Sequence, residues 1–229
     1  MTRGLSQNAS LIIESFSTIN ALKDYYLIGG TALSLQIDHR LSEDLDFCKW
    51  VPDTKKVQHA VDPQLLGNEL RQRFEGVDEN HLGFSQVNYL VSEPPVKLSF
   101  YHTDLRKPEL KPVALINNIK MADLKVLGGS KMYVVTQRTT LRDFYDIMVL
   151  LKGNHTTLED MQKTARTLSS DAKPKKLSQI FEKVNFNQID IDKFQALEPK
   201  FTFTVAEYTD FFRTLAKEIK KGLDKGLSL

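Results

Sequence analysis

Two aspartates one residue apart, Asp44 and Asp46 in SEDLDFCKW, and two adjacent glycines, Gly29 and Gly30 in YYLIGGTALS, have the types and spacing that bear on chemistry. In an extended segment the side chains at i and i+2 point the same way. Both carboxylates then share one face, while Leu45 and Phe47 take the other. Two anions this close repel, and one keeps its proton unless a cation sits between them. A divalent metal removes that penalty, and Mg²⁺ is held by one or two carboxylates together with waters and substrate phosphates. A solvated strand face carries the same pattern, so the acids alone do not decide. The glycines end a short apolar run and precede a helix-like stretch. Glycine lets backbone N–H groups approach a ligand closely, and a helix start offers unpaired donors in a field that favours anions. Thr31 is placed to cap that helix or to donate its hydroxyl to a phosphate. A plain tight turn has the same sequence.

Other phosphate motifs are excluded by their residues. No Lys-Ser or Lys-Thr follows Gly30. In GGSKM, Met132 stands where a metal-binding hydroxyl belongs, and the first glycine of a Walker loop is missing. GGTALS lacks the third glycine of a dinucleotide fingerprint.

The elements that must position these residues read as a mixed half followed by a helical half. Residues 5–23 have helical spacing, with Leu11, Ile12, Phe16, Ile19 and Leu22 on one face. YYLIG reads as a strand, TALSLQI as a short helix, and SEDLDFCKW as a two-faced strand ended by Pro52 and Asp53. Asp62 and Pro63 mark a helix start over 62–74. HLGFSQVNYLV and PPVKLSFYHTD predict neighbouring antiparallel strands, and Pro108 and Pro112 frame a loop. From about residue 120 the pattern is helical: MADLKVLGGSKMYVVTQR, interrupted by Gly128 and Gly129, then an amphipathic LRDFYDIMVLLK, then TLEDMQKTARTLS and TVAEYTDFFRTLAKEIKKGL. DAKPKKLSQ reads as a connector. Tyr208, Phe211 and Phe212 read as helix core.

Bulk properties narrow the classes. The 229 residues are 41% hydrophobic and 26% charged, enough apolar material for a core, and the formal net charge of +2 does not mark the whole chain as a nucleic-acid binder. One cysteine, Cys48, excludes an intramolecular disulfide and a tetrathiolate metal site. No signal peptide or membrane span is evident, so a cytoplasmic protein with no membrane partner is expected.

GGTALSLQIDHRLSEDLDF together with the later lysine and RDFYDI resembles the AbiEii/AbiGii abortive-infection toxin family, within the polymerase-β-like nucleotidyltransferase superfamily. The first motif falls on Gly29, Gly30, Thr31, Ala32 and Leu33, then Asp44 and Asp46. The second falls on Lys131, Arg138, Arg142, Asp143 and Asp146. The likeness spans roughly residues 25–150. It implies an α+β fold, with a polymerase-β-like mixed sheet and flanking helices followed by a C-terminal helical bundle. The domains expected are 1–115, nucleotidyltransferase-like, and 116–229, helical and contributing the Lys/Asp side of a cleft.

The resemblance further implies a Mg²⁺-dependent transfer of a nucleotide from an NTP to an acceptor, with a tRNA end or other RNA as one candidate, by the toxin of a type IV toxin–antitoxin pair with a cognate antitoxin. Asp44 and Asp46 would hold the metal. Gly29, Gly30, Thr31, Lys131 and Arg138 would bind the nucleotide. Asp44, Asp46, Lys131 and Asp146 would be catalytic. Superfamily members often carry a third carboxylate where Ser99 aligns here, and Asp146 is the acid that would replace it. The competing reading is a degenerate fold that binds a nucleotide or a partner without chemistry. Transfer to a protein side chain or small molecule is a further alternative.

Overall fold

The computed structural model describes residues 3–50, 61–83, 85–103, 107–186, 194–195 and 197–224. Pro52 and Asp53, the expected end of the acidic strand, lie outside them. The chain divides into two units, Met1–Asp123 and Leu124–Leu229.

The first unit is built on a seven-stranded mixed sheet. Its strands are β1 (Tyr26–Ile28), β2 (Leu45–Trp50), β3 (Val77–His81), β4 (Gln86–Ser92), β5 (Pro95–Thr103), β6 (Val113–Ile116) and β7 (Ile119–Met121), in the order β3-β4-β5-β2-β1-β7-β6. The helices are α1 (Gln7–Ser17), a 3₁₀ turn (Asn20–Asp24), α2 (Gly29–Ile37) and α3 (Pro63–Arg71). β2 runs antiparallel to β1 and parallel to β5, with Phe47 paired to Leu27 and to Phe100. One sheet face is therefore apolar. Phe47 stacks on Phe100 at 5.3 Å between centroids, and Phe16 of α1 covers Phe47 at 5.3 Å. The other face carries Asp46, Cys48 and Ser99, which follows from the period of two. Cys48 is buried, and burial pushes its thiol well above the ordinary range.

Several sequence expectations need correction here. The first helix stops at Ser17, and Leu11, assigned to its buried face, is 65% exposed. Ile12, Phe16, Ile19 and Leu22 are buried as expected, the last two through the 3₁₀ turn. His81 ends a separate strand, VDENH, which its polar composition hides. It survives as an edge strand because β4 pairs along its whole length. β6 and β7 pair as an antiparallel hairpin that the sequence pattern does not predict. It turns at Asn117, whose φ of +44° suits asparagine. This hairpin completes the sheet, so the unit extends to Asp123, past the expected boundary at residue 115.

The second unit holds α4 (Leu124–Val134), α5 (Leu141–Lys152), α6 (Leu158–Leu168), α7 (Pro174–Lys183) and α8 (Val205–Asp224). The supposed connector DAKPKKLSQ runs into α7, where Pro174 sits in the first turn that tolerates proline. Gly128 and Gly129 do not interrupt α4. A Cβ at Gly128 would lie 2.9 Å from Met161 Cγ, and one at Gly129 would lie 2.5 Å from Thr164 Cγ2 and 3.0 Å from Ala165 N. The glycines let α4 and α6 approach. α5 is not amphipathic in practice, because Asp143 through Leu150 are all buried. Phe144 meets Phe181, Phe186 and Phe212 at 6.2, 5.3 and 5.1 Å. Tyr208 and Phe212 are core as expected, whereas Phe211 is only half-buried.

Alanine is intrinsically favoured over glycine in a helix by about 1 kcal/mol. Gly129→Ala should nonetheless destabilise the protein by about 1–3 kcal/mol, since the new methyl overpacks against Thr164 and backbone. Urea denaturation would check this, and a more stable variant would contradict the close approach.

Candidate active site

The acidic residues sit where the sheet meets a glycine turn. Asp46 on β2 pairs with Ile28 of β1 on one side and with Ser99 of β5 on the other. Gly29 follows Ile28 with φ +70°, a conformation that favours glycine. A Cβ there would lie 3.1 Å from Asp46 Oδ2, so the turn backbone lies against the carboxylate. Gly30 has a separate reason to lack a side chain: the guanidinium of Arg40 occupies the space a Cβ would need. Arg40 is buried, with Nη1 donating to the Leu41 carbonyl at 2.9 Å.

Asp44 immediately precedes β2. Lys97 Nζ lies 3.9 Å from Asp44 Oδ2, and Lys97 is two residues from Ser99, on the same face of β5. This places the Asp44 carboxylate on the Asp46 side of the sheet. Asp44 is 45% exposed in its side chain and Asp46 is half-buried. Among the described residues, no hydrogen bond or ion pair engages the Asp46 carboxylate.

Thr31 is placed differently from expectation. Its side chain is buried, its hydroxyl donates to the Asp44 backbone carbonyl, and it lies 2.8 Å from Ser42 Oγ. It does not cap α2, whose N-cap is Ile28. Its work is to hold the segment that carries Asp44. Ser42 is fixed from the other side by backbone bonds to Gly4 and Ser6, both 2.9 Å.

In the second unit, Lys131 on α4 is only 6% exposed. Its Nζ lies 2.8 Å from Asp143 Oδ1 and 2.7 Å from Asp146 Oδ2, two acids of α5 with no exposure. The spacing of three along α5 puts both carboxylates toward one ammonium. Arg138 lies beyond the end of α4 and donates through Nε to Asp143 Oδ2 at 2.9 Å. The Thr140 hydroxyl donates to the same carboxylate. Burial opposes ionisation of Asp143. The charge of Lys131 and the hydrogen bonds from Arg138, Lys131 and Thr140 outweigh it and bring the carboxyl down to about 2. Asp146, expected as a replacement for the third carboxylate, is buried against Lys131. Ser99, where that acid was sought, is itself buried beside Asp46.

Sequence reasoning overlooked Lys97. Its alternation with Ser99 was readable, but the β2–β5 register that brings it to Asp44 was not.

Two carboxylates on an open polar face, with oxygen donors only, suit Mg²⁺ completed by waters and phosphates. No group of three His, Cys, Asp or Glu among the described residues could hold a metal alone, so any ion here depends on substrate oxygens for the rest of its shell. No helix among the described residues is long and apolar enough to cross a membrane.

The first unit thus carries a glycine turn beside paired acids on a mixed sheet, and the second a buried lysine–carboxylate cluster. Residues 12–221 match the family model of the AbiEii nucleotidyl transferase toxin of a type IV toxin–antitoxin system, and the chain belongs to that family of nucleotidyltransferase toxins. It is similar to an uncharacterized protein of Aquifex aeolicus (strain VF5), 25% identical over 169 residues, which span 72% of this chain and 75% of that protein. Among solved structures it shares its fold with MenT4, a nucleotidyltransferase toxin from Mycobacterium tuberculosis H37Rv (TM-score 0.59, 14% identity, covering 93% of this chain and 84% of that one). JHP933 from Helicobacter pylori is a second such structure (TM-score 0.55, 23% identity, covering 97% and 96%).

Two outcomes are expected from the buried cluster. Lys131→Met leaves two carboxylates buried without their cation and should cost about 3–5 kcal/mol in denaturant unfolding. The Asp143 carboxyl titrates lower in the folded protein than in the unfolded chain. Its contribution, about 2 kcal/mol, is present above pH 3.8 and lost as pH falls toward 2. Acid unfolding of Asp143→Asn should lack that component.

Proposed function

We propose that this toxin transfers a nucleoside monophosphate from an NTP to an RNA end in a Mg²⁺-dependent reaction, with transfer RNA as the first acceptor to test. In this reading it acts in the cytoplasm within a type IV toxin–antitoxin pair and has a cognate antitoxin as partner. Family membership supports the reaction class. The contact between the Gly29 backbone and the Asp46 carboxylate carries the site assignment.

Asp44 and Asp46 would hold Mg²⁺. When bound, the ion would offset the charge of the triphosphate and of the transferring group. The N–H groups of Gly29 and Gly30 at the start of α2 receive the β and γ phosphates. Lys131 gives two hydrogens to Asp143 and Asp146 and keeps a third for a phosphate oxygen. Asp143 and Asp146 act as positioning residues for that ammonium. Arg138, half-exposed, has further N–H groups beyond those that Asp143 takes. The acceptor hydroxyl oxygen bonds to the α-phosphorus, the α–β bridging P–O bond breaks, pyrophosphate leaves, and the hydroxyl proton passes to solvent.

A binding module without chemistry is the second reading, favoured by the two-carboxylate count and by the buried Ser99 beside Asp46.

Purified protein with Mg²⁺, total RNA and each labelled NTP in turn should label an RNA band. Asp46→Asn should lower labelling by about a thousandfold or more with an unchanged melting temperature. That variant is a cleaner probe than Lys131→Ala, which also removes a buried cation. Unchanged labelling in Asp46→Asn would remove the proposed site. NTP binding that needs metal but yields no labelled product would favour the module. Label on protein or on a small molecule would redirect the acceptor.

A further inference from the structure

We propose that the exposed faces of α7 and α8 form one binding surface for the phosphate backbone of RNA, through which an acceptor is held along its chain as well as at its reacting end. This deepens, and rests on, the reading of RNA as the acceptor.

The two helices pack antiparallel. Phe186 stacks on Tyr208 at 5.2 Å, Phe181 meets Phe212 at 5.1 Å, and Glu182 pairs with Lys220 at 2.7 Å. Their outer sides collect positive charge. Residues 173–183 and 213–221 together hold eight cations and two acids, a net +6 in a chain whose formal net charge is +2, so the other residues sum to −4. Arg213, Lys217 and Lys220 follow at i, i+4 and i+7, which makes a stripe along one side of α8 about 10 Å long, with Lys221 beside it. Asp210, one turn before Arg213, bounds the stripe, and Glu218 lies off its flank. On α7, Lys175 and Lys183 are two turns apart and share a side. Lys175, Lys183, Arg213, Lys217 and Lys221 are all exposed, and none makes an ion pair among the described residues. One carboxylate serves several of these cations: the bond from Lys220 and the charges of Lys220, Lys183 and Arg213 hold Glu182 below the ordinary carboxylate range. The first turn of α7 contains no acid, so Lys175 and Lys176 stand at the positive end of its field, where an anion is favoured and a cation is not. Like charges gathered this way repel one another, and a polyanion relieves the repulsion. At about 3.4 Å per phosphate, a stripe of about 10 Å meets about three phosphates of one strand. The stripe carries no aromatic side chain on which a base could stack, so the contact is to the backbone and independent of sequence. A membrane-surface helix would turn an apolar face to lipid, whereas Phe212, Leu215 and Ile219 of α8 are buried in the protein.

Fluorescence anisotropy of a labelled RNA of about 20 nucleotides, with the full chain and without NTP or metal, tests this across a salt series. Wild-type binding should weaken with salt at a slope of about 4 in log Kd against log salt, from about 0.7 per phosphate contacted. Arg213→Gln with Lys217→Gln should lose about tenfold in affinity and lower that slope by about 1.5. Lys175→Gln with Lys183→Gln, on the other helix, should do the same, so a folding defect in one pair does not decide the outcome. Lys111→Gln with Lys163→Gln removes as much charge from exposed positions elsewhere and should stay within about twofold of the wild type, because distant charges are screened. Equal weakening in that control, an unchanged slope in both helix pairs, or no RNA binding by the wild type would overturn the proposal. So would binding to phosphatidylserine vesicles but not to RNA. If the helix pairs lose RNA binding but the transfer assay labels no RNA, the surface stands and RNA as acceptor fails. If RNA is labelled while binding is untouched in both helix pairs, the surface fails and the acceptor stands. Melting temperatures identify variants that do not fold.

Discussion

The buried ion cluster of the helical unit constrains more of this chain than any other single contact. Two carboxylates without exposure, on a helix otherwise packed among phenylalanines, are unfavourable unless a cation reaches both. Lys131 does so from α4, and Arg138 and Thr140 complete Asp143. The position of α4 is therefore set twice, once by charge against α5 and once by close packing of its glycines against α6. An ion cluster of this kind contributes less to stability than its Coulomb attraction suggests, because desolvation opposes it. What it secures is one orientation of the ammonium.

The sheet unit solves a different problem. Asp46 is half-buried without a protein cation, and Asp44 is half-exposed. The chain positions this face through backbone and hydroxyl contacts: Thr31 holds the Asp44 carbonyl, and Ser42 is tied to Thr31 and to the N-terminal segment. Arg40 packs under Gly30, so the turn is backed by a guanidinium where a side chain would otherwise sit.

Features that depend on nearest neighbours were legible in the sequence. The Gly29–Gly30 turn, the shared face of Asp44 and Asp46, and the Asp62–Pro63 helix start all follow from spacings of one to three residues. Features set by packing were not. Polar residues in LRDFYDIMVLLK read as a solvent face, yet two of them are buried acids matched by a lysine on another helix. Gly128 and Gly129 read as a break because their reason lies across the interface with α6. VDENH has poor strand propensity and is a strand only because β4 pairs with it. The partner of Lys97 depends on a strand register, which no local pattern specifies.

Cys48 sits two residues beyond Asp46 on β2, is buried in the folded protein, and is the only thiol of the chain. Alkylation of that sulfur requires the strand to open, because the thiolate must form and a reagent must enter. The protein therefore carries a native reporter of motion in the very strand that presents its acids. Its labelling rate measures how often β2 opens from the sheet, without any label being engineered.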